Sequence, residues 1–309
     1  MQQTIPEPLS ATDELVINFH VTEACNYACG YCYAKWTRAD KTRDLIHDAQ
    51  KTALLLDELR RFFVPDNLSN PLTRAFKWRT VRLNIAGGEP LLFDREVLRL
   101  ARQARELDFD VSIITNASRL TLPVMEQLAP LVSMVGISID SVATATNSAI
   151  GRRDRRGTLL DLAALSQIIA AGRRINPQLR LKLNTVVNAL NYDEDLTDAI
   201  DSFAPEKWKV LRMLPSVTDD LSVSTAQFND FVQRHAAGGL PMCVEDNDDM
   251  VASYIMIDPQ GRFYQNRPDE KGYRYSSPII EVGASTAFGQ ITLFADRYLG
   301  RYLPGSNAE

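Results

Sequence analysis

The sequence predicts an α/β fold, a partial (βα)6 barrel with an N-terminal extension and a C-terminal cap. Short apolar runs rich in β-branched residues recur along the first two thirds of the chain, and segments with leucines at three- and four-residue spacing lie between them. Strands that alternate with helices are typical of βαβ units and a parallel sheet. The 309 residues, 45% of them hydrophobic, are enough for one large core.

Six strands are predicted, with amphipathic helices between them. The strand candidates are Leu15–Val21, Thr80–Ala86, Val111–Thr115, Met134–Ile139, Leu179–Val187 and Trp208–Leu214. The clearest helices are Ala49–Phe63 and Arg95–Leu107, whereas Val64–Arg74 has two prolines and no periodicity and is predicted to be an insertion. We expect residues 15–216 to form the barrel and residues 1–14 to form the extension.

The pattern changes after the sixth strand. Ser253–Ile257 and Arg262–Tyr264 flank an Asp-Pro-Gln-Gly sequence, which favours a hairpin. Polar residues dominate Gln265–Ser277, as is typical of a surface loop, and a last helix is expected near Ala284–Leu299. Residues 217–309 are therefore predicted to form a cap or lid that closes the active site.

Composition excludes several classes of protein. The formal net charge of -5 argues against general nucleic-acid binding, which needs clustered basic residues. No apolar run approaches the ~18 residues of a membrane span, and the N-terminal residues lack the basic start and apolar stretch of a signal peptide. Only four cysteines are present, so a disulfide scaffold is excluded and we expect a soluble protein of the cytoplasm.

Three of the cysteines form one C-x3-C-x2-C run. They are Cys25, Cys29 and Cys32, while Cys243 lies more than 200 residues later. Four thiolates would complete a cubane iron-sulfur cluster or a zinc site, so three thiolates leave one iron free to bind a ligand that is not protein. The alternative is a structural zinc loop or buried cysteines, but zinc would need a fourth ligand.

This spacing, with Tyr31 just before the last cysteine and Tyr33 just after it, resembles the radical S-adenosylmethionine (SAM) superfamily. The resemblance implies a 4Fe-4S cluster whose open iron binds the amino and carboxylate groups of SAM. It also implies that one electron, from a donor such as flavodoxin or ferredoxin, splits SAM to methionine and a 5′-deoxyadenosyl radical. A radical SAM partial barrel is the fold that goes with this chemistry.

Polar residues follow the carboxyl ends of the predicted strands, where parallel α/β barrels assemble their active sites. The second strand runs into Gly-Gly-Glu-Pro, which resembles the superfamily motif that holds the amino group of SAM. Asn116 and Ser138 suit the ribose hydroxyls and the methionyl carboxylate, although both also suit helix N-caps. The fork of Arg152 is a further candidate for the carboxylate. The predicted SAM-binding residues are Tyr31, Gly87, Gly88, Glu89, Asn116, Ser138 and Arg152.

At a finer level the sequence resembles the viperins and their prokaryotic viperin-like relatives. The matching segments run in order from about residue 16 to residue 288 and include residues 84–90, 182–188 and 253–258. The resemblance implies abstraction of the C4′ hydrogen of a ribonucleoside triphosphate and loss of its 3′-hydroxyl as water. The product would be a 3′-deoxy-3′,4′-didehydro nucleotide, a chain terminator for antiviral (antiphage) defence. The base, in CTP, UTP or GTP, is left open.

Basic residues on neighbouring strands are a physical reason to expect a triphosphate substrate. Alternation places Lys207 and Lys209 on one face, where two cations are costly to bury without an anion. With Lys182 and Arg82 they would hold a polyphosphate; the alternative is solvent-facing strand ends. Tyr254 is the candidate catalytic hydrogen donor, or else it packs beside the ribose. The predicted nucleotide-binding residues are Asn18, His20, Arg82, Lys182, Asn184, Lys207 and Lys209.

The sequence departs from the pattern of the animal enzyme. Lys207 replaces an arginine, Arg82 replaces a lysine, and Ala117 replaces a glycine. The sequence also shows no N-terminal amphipathic helix, so a soluble prokaryotic-type enzyme without membrane attachment is expected. Two other interpretations remain open. One is a radical SAM enzyme that modifies a peptide or small molecule, and the other is a non-enzymatic iron-sulfur or zinc regulator.

Overall fold

The computed structural model describes residues 10–36, 43–267 and 270–301, and within these ranges ten strands form one mostly parallel sheet. The strands are β1 (Ser10–His20), β2 (Phe76–Ala86), β3 (Asp110–Thr115), β4 (Met134–Ser138), β5 (Arg180–Val187), β6 (Lys207–Arg212), β7 (Met242–Glu245), β8 (Ile255–Ile257), β9 (Arg262–Asn266) and β10 (Tyr273–Pro278). Their order in the sheet is β10-β9-β8-β1-β2-β3-β4-β5-β6-β7. The predicted α/β fold with a parallel sheet is confirmed.

The described residues form ten α-helices, most of which connect parallel strands, while the last three follow β10. They are α1 (Ala49–Phe63), α2 (Asp94–Glu106), α3 (Leu122–Leu128), α4 (Thr144–Ile150), α5 (Leu162–Ile175), α6 (Thr197–Ser202), α7 (Thr225–Ala236), α8 (Ile279–Val282), α9 (Ala284–Phe288) and α10 (Ala295–Gly300). In α1, which has the predicted bounds, Asp48 caps the start by accepting from the backbone of Gln50 and Lys51 at 3.0 Å. In the described part of the chain no helix is both long and apolar enough to cross a bilayer.

All six predicted strands are present, although the first two begin earlier than predicted. β1 starts at Ser10 instead of Leu15 because residues 10–14 pair in parallel with the start of β2 at Phe76. Residues 10–14 of the predicted N-terminal extension therefore lie in β1, and residues 1–9 are outside the described ranges. The insertion predicted at Val64–Arg74 contains turns and one 3-10 helix at Pro71–Arg74.

The C-terminal third adds more strands than the sequence indicates. The hairpin predicted around residues 258–261 is confirmed as the antiparallel pair β8 and β9, and β8 also pairs in parallel with β1, with Ile17 opposite Ile255. The surface loop predicted at Gln265–Ser277 is wrong, because Tyr273–Pro278 forms β10 against β9. The centres of the Tyr273 and Tyr264 rings lie 5.1 Å apart. Tyrosines therefore form the buried face of this strand, although the segment as a whole is polar in composition.

Two further predictions about this region need correction. A seventh parallel strand, β7, pairs with β6, and with four residues it is too short to stand out in the sequence. The single last helix predicted near Ala284–Leu299 is two helices, because α9 ends at Phe288 and is capped by Gly289. The backbone N–H of Phe294, just before α10, donates to the carbonyl of Ala252 at 2.9 Å and ties this helix to the start of β8.

Candidate active site

The carboxyl ends of the parallel strands open into one cavity of about 260 Å³. The predicted cluster and SAM site and the predicted nucleotide site lie in this one cavity, because residues of both line its wall. The predicted residues that line it are Asn18, His20, Cys25, Cys29, Tyr31, Cys32, Gly87, Gly88, Asn116, Ser138, Arg152, Lys182, Asn184, Lys209 and Tyr254. Glu89, Arg82 and Lys207 do not line it.

The cysteine loop follows β1 and carries three free thiols that are partly buried. Burial raises the pKa of the Cys29 thiol to about 12 and also raises the pKa values of Cys25 and Cys32. The thiolate form is therefore disfavoured in this pocket unless a metal takes the place of the proton. The loop is therefore a poor place for reactive free thiolates.

The number of thiols bears on the kind of metal site. In the described ranges no three His, Cys, Asp or Glu side chains converge on a position for one metal ion. Structural zinc sites almost always have four protein ligands, whereas three thiolates would leave one iron of a 4Fe-4S cluster open. The three free thiols on one cavity wall therefore suit a cluster with an open iron.

Glycines lock the cysteine loop to the turn after β2. The backbone N–H of Gly88 donates to the carbonyl of Thr22 at 2.7 Å, and that of Glu89 donates to the carbonyl of Ala24 at 2.8 Å. A Cβ at Gly88 would lie 2.3 Å from the oxygen of Ala24, and Gly87 has φ +150°. These glycines let the backbone approach the cysteine loop closely, and their role in binding SAM stays a prediction.

Glu89 is completely buried beneath this turn. Its carboxylate accepts from the backbone of Leu91 at 3.0 Å, the hydroxyl of Thr115 at 2.6 Å and the backbone of Asn116 at 2.7 Å. Burial raises the pKa of Glu89, and these three donors act against that shift. The observed contacts fix the loop after β3, including Asn116, relative to the cysteine loop. Direct contact of Glu89 with SAM stays a prediction.

Asp140 is a buried site residue that the sequence analysis did not single out. Arg152 donates to its carboxylate at 3.2 Å and to the Tyr31 hydroxyl at 3.1 Å, and Tyr31 also donates to Asp140. The other carboxylate oxygen accepts from the backbone of Val186 at 2.9 Å. Two predicted SAM-binding side chains are thus held in place by one carboxylate. In the sequence, Asp140 could have been found from its place in the Ser-Ile-Asp-Ser segment at the carboxyl end of β4.

Lys182 and Asn184 face the cavity from β5 with their polar groups open. Neither side chain has a hydrogen-bond or ion-pair partner among residues 10–36, 43–267 and 270–301. Burial lowers the pKa of Lys182 well below its usual value; nearby Lys209, Lys207 and Arg82 lower it further, and Glu245 opposes them. The four predicted basic residues therefore form one electrostatic group, which we call the basic group.

The other members of the basic group have partners or lie behind the wall. Arg82 forms an ion pair with Glu14 at 3.2 Å. Lys207 is opposite Lys182 in the sheet but outside the cavity wall. Lys209 pairs with Glu245, and burial lowers the pKa of Lys209 to about 8 while Glu245 opposes the shift. Lys182 is thus the open cation of the group within the described ranges.

Glu245 and Arg301 complete the surroundings of Tyr254, and the sequence analysis missed both. The Tyr254 hydroxyl donates to Glu245 at 2.6 Å and accepts from Lys209. Arg301 also donates to Glu245, and its guanidinium lies 3.5 Å from the centre of the Tyr254 ring. Glu245 is the last residue of the unrecognised strand β7, and Arg301 follows α10, so neither had a local signal.

The strand β1 contributes Asn18 and His20. The Asn18 amide donates to the carbonyl of Ile255 at 3.2 Å and accepts from Asn84 at 2.9 Å. His20 lies between the hydroxyls of Tyr264, at 3.0 Å, and Tyr33, at 3.3 Å. Burial lowers the pKa of His20 to about 4, so the ring is neutral at pH 7.

The chain is similar in sequence and in fold to known radical SAM proteins. Residues 19–169 match the radical SAM superfamily. The chain is 40% identical over 294 residues to the S-adenosylmethionine-dependent nucleotide dehydratase of Pseudoalteromonas ulvae, covering 95% of this chain and 94% of that protein. It is also 40% identical over 292 residues to the S-adenosylmethionine-dependent nucleotide dehydratase of Psychrobacter lutiphocae, covering 94% and 96%. The solved structure of native anSMEcpe with bound AdoMet shares the fold, with a TM-score of 0.62, 12% identity, and coverage of 93% and 82%.

Proposed function

The chain belongs to the S-adenosylmethionine-dependent nucleotide dehydratase family of the radical SAM superfamily, and we propose that its substrate is a ribonucleoside triphosphate. The product would be the 3′-deoxy-3′,4′-didehydro nucleotide, formed by loss of one water from the ribose. The observation that carries this proposal is the open ammonium of Lys182 on a wall that it shares with the three thiols.

A positive charge on Lys182 costs free energy in the empty protein. Its half-buried side chain lies near a second lysine, has no ion-pair partner in the described ranges, and Glu245 offsets the shift in its pKa only in part. Such an arrangement is expected where a ligand supplies the missing charge, and a polyphosphate supplies several. A neutral peptide substrate would leave Lys182 unpaired, so the basic group favours the nucleotide over the peptide-modifying alternative.

Cys25, Cys29 and Cys32 would hold the 4Fe-4S cluster, which in this superfamily supplies the electron that splits SAM and yields the 5′-deoxyadenosyl radical. Around SAM, the amide of Asn116 and the region of Ser138 and Arg152 would contact its polar groups. Glu89 and Asp140 position these side chains through the hydrogen bonds described above. The neutral ring of His20 and the amides of Asn18 and Asn184 would face the nucleotide.

The dehydration needs one proton and one electron, and Tyr254 is the candidate that would supply them. Once hydrogen has left C4′ of the ribose, departure of the 3′-hydroxyl as water requires one proton, and completion of the C3′–C4′ double bond requires one electron. Tyr254 would supply both, and the external electron donor would reduce it again. Glu245 and Lys209 hold its hydroxyl, and when the tyrosyl is reduced again they would pass a proton from solvent back to it. An antiphage role would follow from a product without a 3′-hydroxyl.

The proposal is tested by turnover with each of the four ribonucleoside triphosphates deuterated at C4′. We expect one of CTP, UTP or GTP to be preferred, with deuterium in 5′-deoxyadenosine and a nucleotide lighter by one water, both read by mass spectrometry. The unphosphorylated nucleoside is the control and should turn over poorly. Deuterium transfer without dehydration, or equal turnover of nucleoside and triphosphate, would contradict the proposal.

Substitution of Tyr254 by Phe separates the donor role from packing beside the ribose. Phe keeps the ring under Arg301 but loses the hydroxyl held by Glu245, so C4′ abstraction should continue while dehydrated product falls. We expect the ratio of 5′-deoxyadenosine to dehydrated nucleotide to rise well above one. Tyr192→Phe, outside the cavity, is the matched control. An unchanged ratio in Tyr254→Phe would assign this residue to packing.

A further inference from the structure

Four exposed arginines flank the cysteine loop. Arg119 follows β3, and Arg153, Arg155 and Arg156 lie in the segment after α4. None of their guanidinium groups forms an ion pair within the described part of the chain, whereas many other arginines do. Asp154, in the same segment, accepts from the backbone of Arg156 and Thr158 at 2.8 Å. We call these four residues the arginine face.

Both segments of the arginine face are fastened directly to the cysteine loop. After α4, the carbonyls of Gly151 and Ile150 accept from the backbone of Ala28 at 3.1 Å and of Gly30 at 2.9 Å. After β3, the hydroxyl of Ser118 accepts from the amide of Asn26 at 2.9 Å. Ala28 and Gly30, on either side of Cys29, are exposed. The cysteine loop therefore reaches the surface next to the arginine face.

A hollow of about 160 Å³ opens between the same two segments. Its wall is formed by Tyr27, by Ala117, Ser118 and Leu120, and by eight residues between 154 and 168, of which two are the carboxylates Asp154 and Asp161. The buried ring of Tyr27 also lines the main cavity, with the guanidinium of Arg152 5.8 Å from its centre. A side chain of a docked protein placed in this hollow would be separated from the main cavity by that ring.

We propose that the arginine face docks an acidic one-electron carrier protein, with a flavin or iron-sulfur group, which reduces the cluster held by Cys25, Cys29 and Cys32. The proposal rests on the proposed function, because reductive cleavage of SAM is what consumes the electron. One electron passes from the reduced carrier to the cluster, and no bond or proton is transferred. The carrier is oxidised by one electron and the cluster is reduced by one.

Charge complementarity selects this kind of partner. The chain as a whole carries -5, so its net charge repels an acidic carrier, whereas the local group of four positive side chains attracts it. Electron transfer slows steeply with distance, so the carrier must dock where the least protein separates its redox group from the cluster. In the described ranges the exposed backbone at Ala28 and Gly30 provides such a place beside those charges.

The test reverses the charge of Arg153, Arg155 and Arg156 to Glu and measures how fast the loaded cluster is reduced, without SAM or nucleotide. Stopped-flow absorbance would follow reduction by photoreduced flavodoxin, the acidic carrier, and by photoreduced 5-deazariboflavin, which is small and uncharged. The matched control makes the same changes at the exposed Arg95, Arg102 and Arg174 on α2 and α5. Arg119→Glu alone tests the second segment.

We expect the triple reversal to slow reduction by flavodoxin by at least about tenfold, and added salt to slow the wild-type reaction. Reduction by 5-deazariboflavin, iron content and the control triple should stay close to wild type. Equal loss in both triples, or no loss with flavodoxin, would overturn the proposal. So would loss of RNA or DNA binding in the triple reversal with flavodoxin reduction unchanged, since the face would then be a nucleic-acid site. Turnover driven by 5-deazariboflavin tests the proposed function separately, because it does not need docking.

Discussion

Replacement of Cys25, Cys29 or Cys32 by Ala is expected to abolish both iron-sulfur cluster binding and SAM cleavage. Each change removes one of three thiolates that face the cavity, and a cluster held by two thiolates would lose its anchoring at a buried position. Anaerobic iron and sulfide analysis, the ultraviolet-visible spectrum and 5′-deoxyadenosine formation measure the loss. We expect the cleavage rate to fall below detection in all three variants.

Cys243→Ala is the matched control for the cysteine series. This residue lies on β7 opposite Lys209, outside the cysteine loop, so its removal should leave iron content and SAM cleavage near wild type. A folded Cys243→Ala protein without iron would mean that the site is not a three-thiolate cluster with an open iron. Circular dichroism of each variant shows that loss of iron is not loss of fold.

Lys182→Met is expected to raise the Michaelis constant for the triphosphate by about one to two decades. A charged hydrogen bond contributes roughly 1.5 to 3 kcal/mol, and Met keeps much of the side-chain volume without the charge. Binding of the nucleoside, and of SAM without nucleotide, should change little. Lys51→Met, on the exposed side of α1, is the control. Equal weakening of nucleoside and triphosphate binding would show that Lys182 does not contact phosphate.

The same variant should be more stable than wild type when no nucleotide is bound. Because burial lowers the pKa of Lys182, its charge destabilises the folded protein fully below the folded pKa, and this penalty declines as the pH rises towards the unfolded value of about 10.4. Removing the charge removes that penalty, so the melting temperature should rise at pH 7 and the difference should vanish at strongly alkaline pH. A purely structural lysine would give the opposite sign, a fall in stability on removal.

The sequence was most informative where function depends on spacing or on a turn. The cysteine run and Gly87-Gly88 could be found because only particular residues permit those arrangements, although the close partner of the glycines proved to be the Thr22–Ala24 backbone. Strands with β-branched residues were likewise found. Strand β10 was missed because its buried face consists of tyrosines and serines, which are also typical of loops.

Contacts between distant residues could not be predicted. Arg82 pairs with Glu14 across two neighbouring strands, and Glu245 meets Tyr254 only because β7 lies next to β6 and β8 lies next to β1. The sequence identified Tyr254 and Lys209 by resemblance but gave no sign of the carboxylate that holds both. Where charges from several strands compensate one another, the pairing depends on tertiary structure.

The pairing of β1 with β8 has a consequence for synthesis of the protein. Ile17 lies opposite Ile255, and the backbone N–H of Val16 donates to the hydroxyl of Tyr298 at 2.6 Å, 282 residues away. The strand that leads into the cysteine loop therefore lacks one neighbouring strand until residues 255–257 have been synthesised. We therefore expect the cysteine loop to reach its final arrangement only after these residues have been synthesised.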